Sequence, residues 1–172
     1  MTDTESMRPP SAAVPRRGTG RRWLLAVASL LVTAALIVDP VARAGLAGGR
    51  TIGLGVLDLR LAYNSGVAFS LGAQLPTIVI VAVTAAVTAG IGVFAWRPAP
   101  GSPSLQSVGL AMIVAGAAAN VIDRILDGKV TDYFHTGWWP TFNLADVYIT
   151  GGVLLVICAL FLGTTTSKES TS

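Results

Sequence analysis

The chemistry open to this chain rests on carboxylates. Of its nine acidic residues, Asp39, Asp58, Asp123, Asp127, Asp132 and Asp146 lie between or at the ends of long apolar runs. Serine–histidine catalysis would have a single histidine, His135, to draw on, and a zinc site lacks the histidines and cysteines it needs. Cys158 stands alone inside an apolar run, where it reads as a filler. Two aspartates held close together cannot both ionise easily, so they share a proton. One then takes a proton from a water while the other gives one to a carbonyl oxygen, and the roles later reverse. That chemistry hydrolyses a peptide bond with neither a metal nor a nucleophilic side chain.

The competing reading is that the aspartates cap helices and pair with Arg124, Lys129 and Arg43. It is favoured for Asp123, which sits beside Arg124, and for Asp127 and Asp58 on expected surface loops. Asp132 is flanked by Val130, Tyr133 and Phe134 with no adjacent cation, and Asp146 begins an apolar run with none nearby. For these two the residues alone leave a catalytic and a structural role evenly balanced. Asn120, Asp123 and Arg124 fall at i, i+3 and i+4, on one face of a helix. Asn143 and Asp146 are likewise three apart, and asparagine amides can orient a carboxylate.

The elements that position these groups follow from composition. Apolar residues make up 52% of the 172-residue chain and charged residues only 12%, against about 25% charged in a soluble domain. The excess apolar surface must face lipid. Apolar runs at Trp23–Val38, Leu75–Trp96, Leu105–Ile122 and Val147–Gly163 predict four spans. Asp39 is expected to close the first. The chain then reads as a disordered tail over 1–22, a four-helix membrane domain over 23–163 and a short C-terminal tail over 164–172. Arginines Arg8, Arg16, Arg17, Arg21 and Arg22 put the N-terminus in the cytoplasm, and an even number of spans returns the C-terminus there. They are topological rather than nucleic-acid binding. The segments 39–74 and 123–146 then share the outer side, where all four helix ends meet. The segment Thr51–Tyr63, which alternates in part from Val56 onward, predicts short strands on the membrane surface. Tyr133, Trp138 and Trp139 are expected at the headgroup level. Small residues crowd the third span (Gly109, Ala111, Ala115, Gly116 and Ala117–Ala119) and allow close helix approach. A secretory signal cleaved near Ala42-Arg43-Ala44 is a weaker reading of the start, because three later spans commit the chain to the membrane.

Four blocks in order carry a family resemblance: Asn64-Ser65-Gly66-Val67-Ala68-Phe69, Gly116-Ala117-Ala118-Ala119-Asn120-Val121-Ile122-Asp123-Arg124, Val130-Thr131-Asp132-Tyr133, and Phe142-Asn143-Leu144-Ala145-Asp146. Over about residues 23–163 the chain resembles the bacterial lipoprotein signal peptidases, or signal peptidase II. The resemblance implies an all-α membrane protein with four transmembrane helices, a small outer-side β segment and a surface helix. It implies a cofactor-free aspartic endopeptidase that cleaves diacylglyceryl prolipoproteins just before the lipidated cysteine. Asp132 and Asp146 match the family's catalytic pair. Asp39, Arg43, Asn64, Asn120, Asp123, Arg124 and Asn143 match supporting or substrate-binding positions. The expected setting is the bacterial inner membrane, with lipoprotein substrates and membrane lipids as partners, no nucleic acid, and a monomeric enzyme.

The sequence departs from the family after the first span. The usual Asp-x-x-Ser/Thr-Lys is here Asp39-Pro40-Val41-Ala42-Arg43. Arginine keeps the charge but not the shape of lysine, which puts the role of Arg43 in doubt. The stretch Trp138-Trp139-Pro140 reads as part of an outer lid or surface helix. Two other function classes stay open on the residues themselves. One is a metal-dependent phospholipid transferase, to which Asp123 and Asp127-Gly128 are similar, although its longer aspartate array is missing. The other is a small proton-coupled transporter or assembly factor, which would place its charges along a pore.

Overall fold

The computed structural model describes residues 19–64, 75–97 and 104–169. Four helices long and apolar enough to cross a membrane dominate it: α1 (Thr19–Gly45), α2 (Thr77–Trp96), α3 (Leu105–Asp127) and α4 (Leu144–Glu169). Their outward faces carry large apolar side chains such as Leu30, Ile37, Ile78 and Phe161, all exposed. An apolar surface of this kind is stable only against lipid tails. Cys158 lies on this surface of α4 as a free thiol.

Helix α1 differs from its expected extent at both ends. It begins at Thr19, so residues 19–22 are helical rather than part of a tail, and residues 1–18 lie outside the described part. It also runs through Asp39 and Pro40 to Gly45. Asp39 therefore lies within the helix body instead of closing it. Proline removes one helical hydrogen bond, and transmembrane helices tolerate this where neighbours satisfy the freed groups. The 26 residues of the span cover about 39 Å at ~1.5 Å per residue, longer than a ~30 Å hydrocarbon core. The surplus carries Asp39 and Arg43 to one end of the bundle. Helix α4 likewise continues past the expected end at 163 to Glu169.

Helix α3 is the central element, packing on α1, α2 and α4. Ser104 caps its start: the Ser107 amide donates to Ser104 Oγ at 3.2 Å, and the Ser104 amide to Ser107 Oγ at 2.8 Å, a reciprocal capping box. Gly128, at φ 72°, ends it in the left-handed conformation, with its amide on the Arg124 carbonyl. The crowded small residues do what their size suggests. A Cβ on Gly109 would lie 2.6 Å from the Gly152 carbonyl oxygen, and one on Gly116 would overlap the Ala145 carbonyl. The α3 and α4 backbones thus touch directly. This brings Asn120, one turn beyond Gly116, up to the start of α4.

A three-stranded antiparallel sheet covers the end of the bundle where α1 and α3 finish and α4 begins. Its order is β1 (Thr51–Gly53), β2 (Asp58–Asn64), β3 (Val130–His135). The first two strands are those expected from the alternation; β3 was not expected. The surface helix is a single 3-10 turn at Ala47–Gly49, whereas Trp138-Trp139-Pro140 is an irregular loop. Between β2 and β3 the register shifts, because Leu59 pairs with Phe134 and Ala62 with Asp132. Strand β2 thus carries one extra residue, a bulge of the kind found beside functional sites.

If the α3–α4 contact sets this geometry, Gly116→Val should lower the thermal midpoint in detergent, with a destabilisation of about 1–3 kcal/mol or more from overpacking. Gly92→Ala on α2, where a Cβ meets nothing within 4 Å, should not. Equal midpoints for the two variants would contradict the direct backbone contact.

Candidate active site

Asp132 and Asp146 reach one place from different elements. Asp132 is carried by β3, an edge strand of the sheet that pairs with β2; Asp146 sits in the first turn of α4. Asn143 joins them. Its Nδ2 donates to Asp132 Oδ1 at 3.1 Å and to Asn120 Oδ1 at 3.0 Å. Its Oδ1 accepts the Asp146 amide at 2.9 Å, and its own amide donates to Asp146 Oδ2 at 3.1 Å. Asn143 and Asp146 therefore form a capping box that fixes the carboxylate as it caps the helix. Asn120 Nδ2 holds the other oxygen, Asp146 Oδ1, at 2.9 Å.

Asn64 completes the set. It pairs with Val130 across the sheet, and Ala62, two residues back, pairs with Asp132. Asn64 and Asp132 are thus diagonal neighbours on one face, and the Asn64 side chain hydrogen-bonds the Asp132 carboxylate. The rest of that motif block, 65–69, lies outside the described residues.

Burial, followed by the nearby charge of Asp146, pushes the Asp132 carboxyl up to about 7; the amides of Asn64 and Asn143 and the charge of Arg124 pull the other way. Asp132 is thus far easier to protonate near neutral pH than an ordinary carboxyl. Arg124 is buried and its Nε has no hydrogen-bond partner. It makes no ion pair with its sequence neighbour Asp123 among the described residues. Its charge instead faces Asp132 first, then Asp123 and Asp146.

Asp123 pairs with Arg43, and the geometry gives that residue a role. Arg43 Nη2 bonds Asp123, Nη1 bonds Asp127, and Nε donates to Thr131 Oγ1 at 2.7 Å. The second oxygen of Asp123 accepts the Thr131 amide at 2.7 Å. One guanidinium thus ties α1 to the end of α3 and to the strand residue preceding Asp132. Lysine has one nitrogen where this site uses three. Asp127, the last residue of α3, is a structural partner as expected, although it lies on the helix rather than on a loop.

Asp39 is buried beside this network. Its carboxylate hydrogen-bonds the Tyr133 hydroxyl, and its Oδ1 has no partner among the described residues. Tyr133 is only 2% exposed, which corrects its expected place at the headgroup level. Trp138 and Trp139 are exposed, as expected of interfacial anchors. The sequence reading passed over Thr131 as a site residue. Its signal was its place in the β-branched and aromatic run Val130-Thr131-Asp132-Tyr133-Phe134, which favours a strand.

An open, mostly apolar groove of about 580 Å³ adjoins the pair. Trp138, Trp139 and Phe142 line one side, and Asp146, Val147, Thr150, Gly151 and Leu154 line α4. Among the described residues no three His, Cys, Asp or Glu side chains gather to hold a metal ion. The arrangement offers two carboxyls, oriented amides and an apolar approach to Asp146.

Known proteins are similar to this chain in sequence and in fold. Residues 24–162 match the family model described as signal peptidase (SPase) II. The chain is 33% identical over 174 residues to a lipoprotein signal peptidase of Mycobacterium tuberculosis (strain ATCC 25618 / H37Rv), covering 94% of this chain and 83% of the relative. It is 30% identical over 175 residues to a lipoprotein signal peptidase of Rhodococcus jostii (strain RHA1), covering 94% and 86%. Its fold is similar to that of a bacterial membrane enzyme solved by the in meso method at 2.3 Å resolution. That match has a TM-score of 0.75 at 23% identity and covers 91% of this chain and 97% of the other. With the model spanning most of its length and its relatives aligned nearly end to end, the chain belongs to the signal peptidase II family of lipoprotein signal peptidases.

Proposed function

We propose that Asp132 and Asp146 are the catalytic pair of this enzyme, a membrane aspartyl endopeptidase that removes signal peptides from prolipoproteins. The observation that carries the reading is the link through Asn143, which binds both carboxylates while Asn120 and Asn64 each hold one of them. Two carboxyls fixed by amide donors, with one proton between them, are the machinery of metal-free peptide hydrolysis.

In this mechanism Asp132, pushed up to about 7, brings the proton and Asp146 is the base. Asp146 takes a proton from water as the water oxygen bonds to the scissile carbonyl carbon, and Asp132 gives its proton to the carbonyl oxygen. As the tetrahedral intermediate collapses, the C–N bond breaks. The leaving nitrogen takes the proton from Asp146, and the reforming carboxyl returns one to Asp132. Arg124 lies where it would offset negative charge as it develops.

The substrate is a prolipoprotein whose cysteine carries diacylglycerol, cut just before that cysteine. The apolar groove at Asp146 suits a ligand with a peptide at the pair and hydrocarbon beside it. The N-terminal arginines favour a cytoplasmic N-terminus and a site at the outer face of the inner membrane. The exposed Leu54 and Val56 at the β1–β2 turn, with Trp138 and Trp139, suit a sheet resting on lipid.

The test uses purified protein in detergent and a diacylglyceryl prolipoprotein. Asp132→Asn and Asp146→Asn should each lower kcat by about a hundredfold or more, the usual span for a lost acid or base, with chelators without effect. Cleavage that survives either change would remove that residue from the pair, and chelator sensitivity would argue for a metal.

The pH profile gives a second check. Asp132 must be protonated to act as the acid, so kcat/KM should fall as pH rises above about 7. Asn64 favours the charged form of Asp132. Asn64→Leu should therefore move this alkaline limb to higher pH while lowering the plateau. A limb that stays in place in Asn64→Leu would exclude Asp132 as the titrating group.

A further inference from the structure

We propose that Tyr133 is a positioning residue, whose hydroxyl locks the start of α4 to Asp39 of α1 and so sets the distance between Asp146 and Asp132. The proposal rests on the reading of those two aspartates as the catalytic pair.

Tyr133 follows Asp132 on β3 and is buried. Both residues reach the start of α4, Asp132 at the Asn143 side chain and Tyr133 at the backbone. The Leu144 amide donates to the Tyr133 hydroxyl oxygen at 3.1 Å. The first amides of a helix have no partner within it, and Leu144 opens α4. A phenol is an acceptor and a donor at once. Having accepted from Leu144, it donates its proton to the Asp39 carboxylate. One hydroxyl thus connects α1, β3 and α4.

The hydroxyl is the third tie between β3 and this stretch of chain. Phe134 and Phe142 exchange backbone hydrogen bonds at 2.8 and 3.0 Å, and Asn143 binds Asp132. The first two ties fix residues 142 and 143. Only the phenol engages residue 144, within the helical turn that carries Asp146. Burial and the charge of Asp39 hold the phenol above its ordinary value, so it stays a proton donor throughout the working pH range. Asp39 matches a family position and makes no hydrogen bond to either member of the pair among the described residues; Asp146 feels its charge, and its hydrogen-bonded link to the start of α4 runs through Tyr133.

Tyr133→Phe keeps the ring and removes only the hydroxyl. It leaves the half-buried Leu144 amide and an oxygen of the buried Asp39 unmatched. The helix start is then free to shift, and displacements of about 1 Å cost on the order of a hundredfold in rate. We expect kcat to fall between about tenfold and a hundredfold with KM within about twofold. The measurement is made on the monodisperse fraction in detergent, so loss of folded protein is not counted. Asp39→Leu should match Tyr133→Phe, and the double variant should be no worse than either. Asp39→Asn, which keeps an acceptor oxygen, should lie closer to wild type than Asp39→Leu.

Unchanged kcat in the monodisperse Tyr133→Phe protein, even with a lowered melting point, would overturn the proposal and leave a structural role. So would additive losses in the double variant, or an Asp39→Leu defect confined to KM, which would place Asp39 against substrate. Asp132→Asn separates this from failure of the underlying reading: activity surviving there removes the pair itself, whereas an inactive Asp132→Asn beside a fully active Tyr133→Phe removes only the tyrosine.

Discussion

A carboxylate at the end of a membrane span is costly unless each oxygen finds a donor, and here Asn143 sets how that is met. It is fully buried, and every polar group it has is engaged. The amide and Nδ2 donate to Asp146, Asn120 and Asp132; Oδ1 accepts the Asp146 amide, and the backbone carbonyl accepts the Val147 amide. An aspartate at this position would lose two donors and add a third charge to the pair. A smaller polar residue would reach one carboxylate and miss the other. This side chain binds both Asp132 on the strand and Asp146 on the helix.

The helix bundle exists to bring donors to that point. Asn120 reaches Asp146 because Gly109, Gly116 and Gly152 let α3 and α4 touch. Without a hydrophobic force between helices in lipid, such contact comes from small residues and close backbones. The ion pairs of Arg43 then hold the ends of α1 and α3 beneath β3. The strand is thereby anchored on both sides of Asp132: Thr131 by Arg43 and Asp123, Tyr133 by Leu144 and Asp39. Rigid first contacts backed by a second layer of this kind are what catalytic geometry demands.

Much of this was legible in the sequence, for physical reasons. Long apolar runs with few charges admit one reading, so the four spans and the convergence of their ends followed from hydropathy alone. Helical spacing placed Asn120 with Asp123 and Asn143 with Asp146. Four things were hidden. Asp39-Pro40 reads as a helix end, yet α1 continues, because helix–helix contacts and the Arg43 network outweigh a local breaker. Asp123 seemed matched to its neighbour Arg124, but adjacent residues on a helix do not face each other, and its partner came from α1. Strand β3 was missed because a six-residue stretch between helices owes its form to pairing with β2, a contact far away in sequence. Tyr133 was misplaced for the same reason: an aromatic near an interface looks like an anchor until the strand turns it inward.

The charge balance of this end of the molecule explains why the pair retains a proton. Asp39, Asp123, Asp127, Asp132 and Asp146 converge there with two guanidiniums, Arg43 and Arg124. Arg43 is consumed by Asp123 and Asp127. Lys129 lies over the Tyr63 ring, 3.7 Å from its centre. Asp39 is met by a neutral phenol. Arg124 is then left to face both Asp132 and Asp146, and one positive charge cannot balance two carboxylates in a buried setting. A proton on Asp132, whose carboxyl is pushed up to about 7, would restore the balance. The Arg43 substitution matters in this light. Its fork takes up Asp127 as well as Asp123, two carboxylates that the single nitrogen of a lysine would have to share.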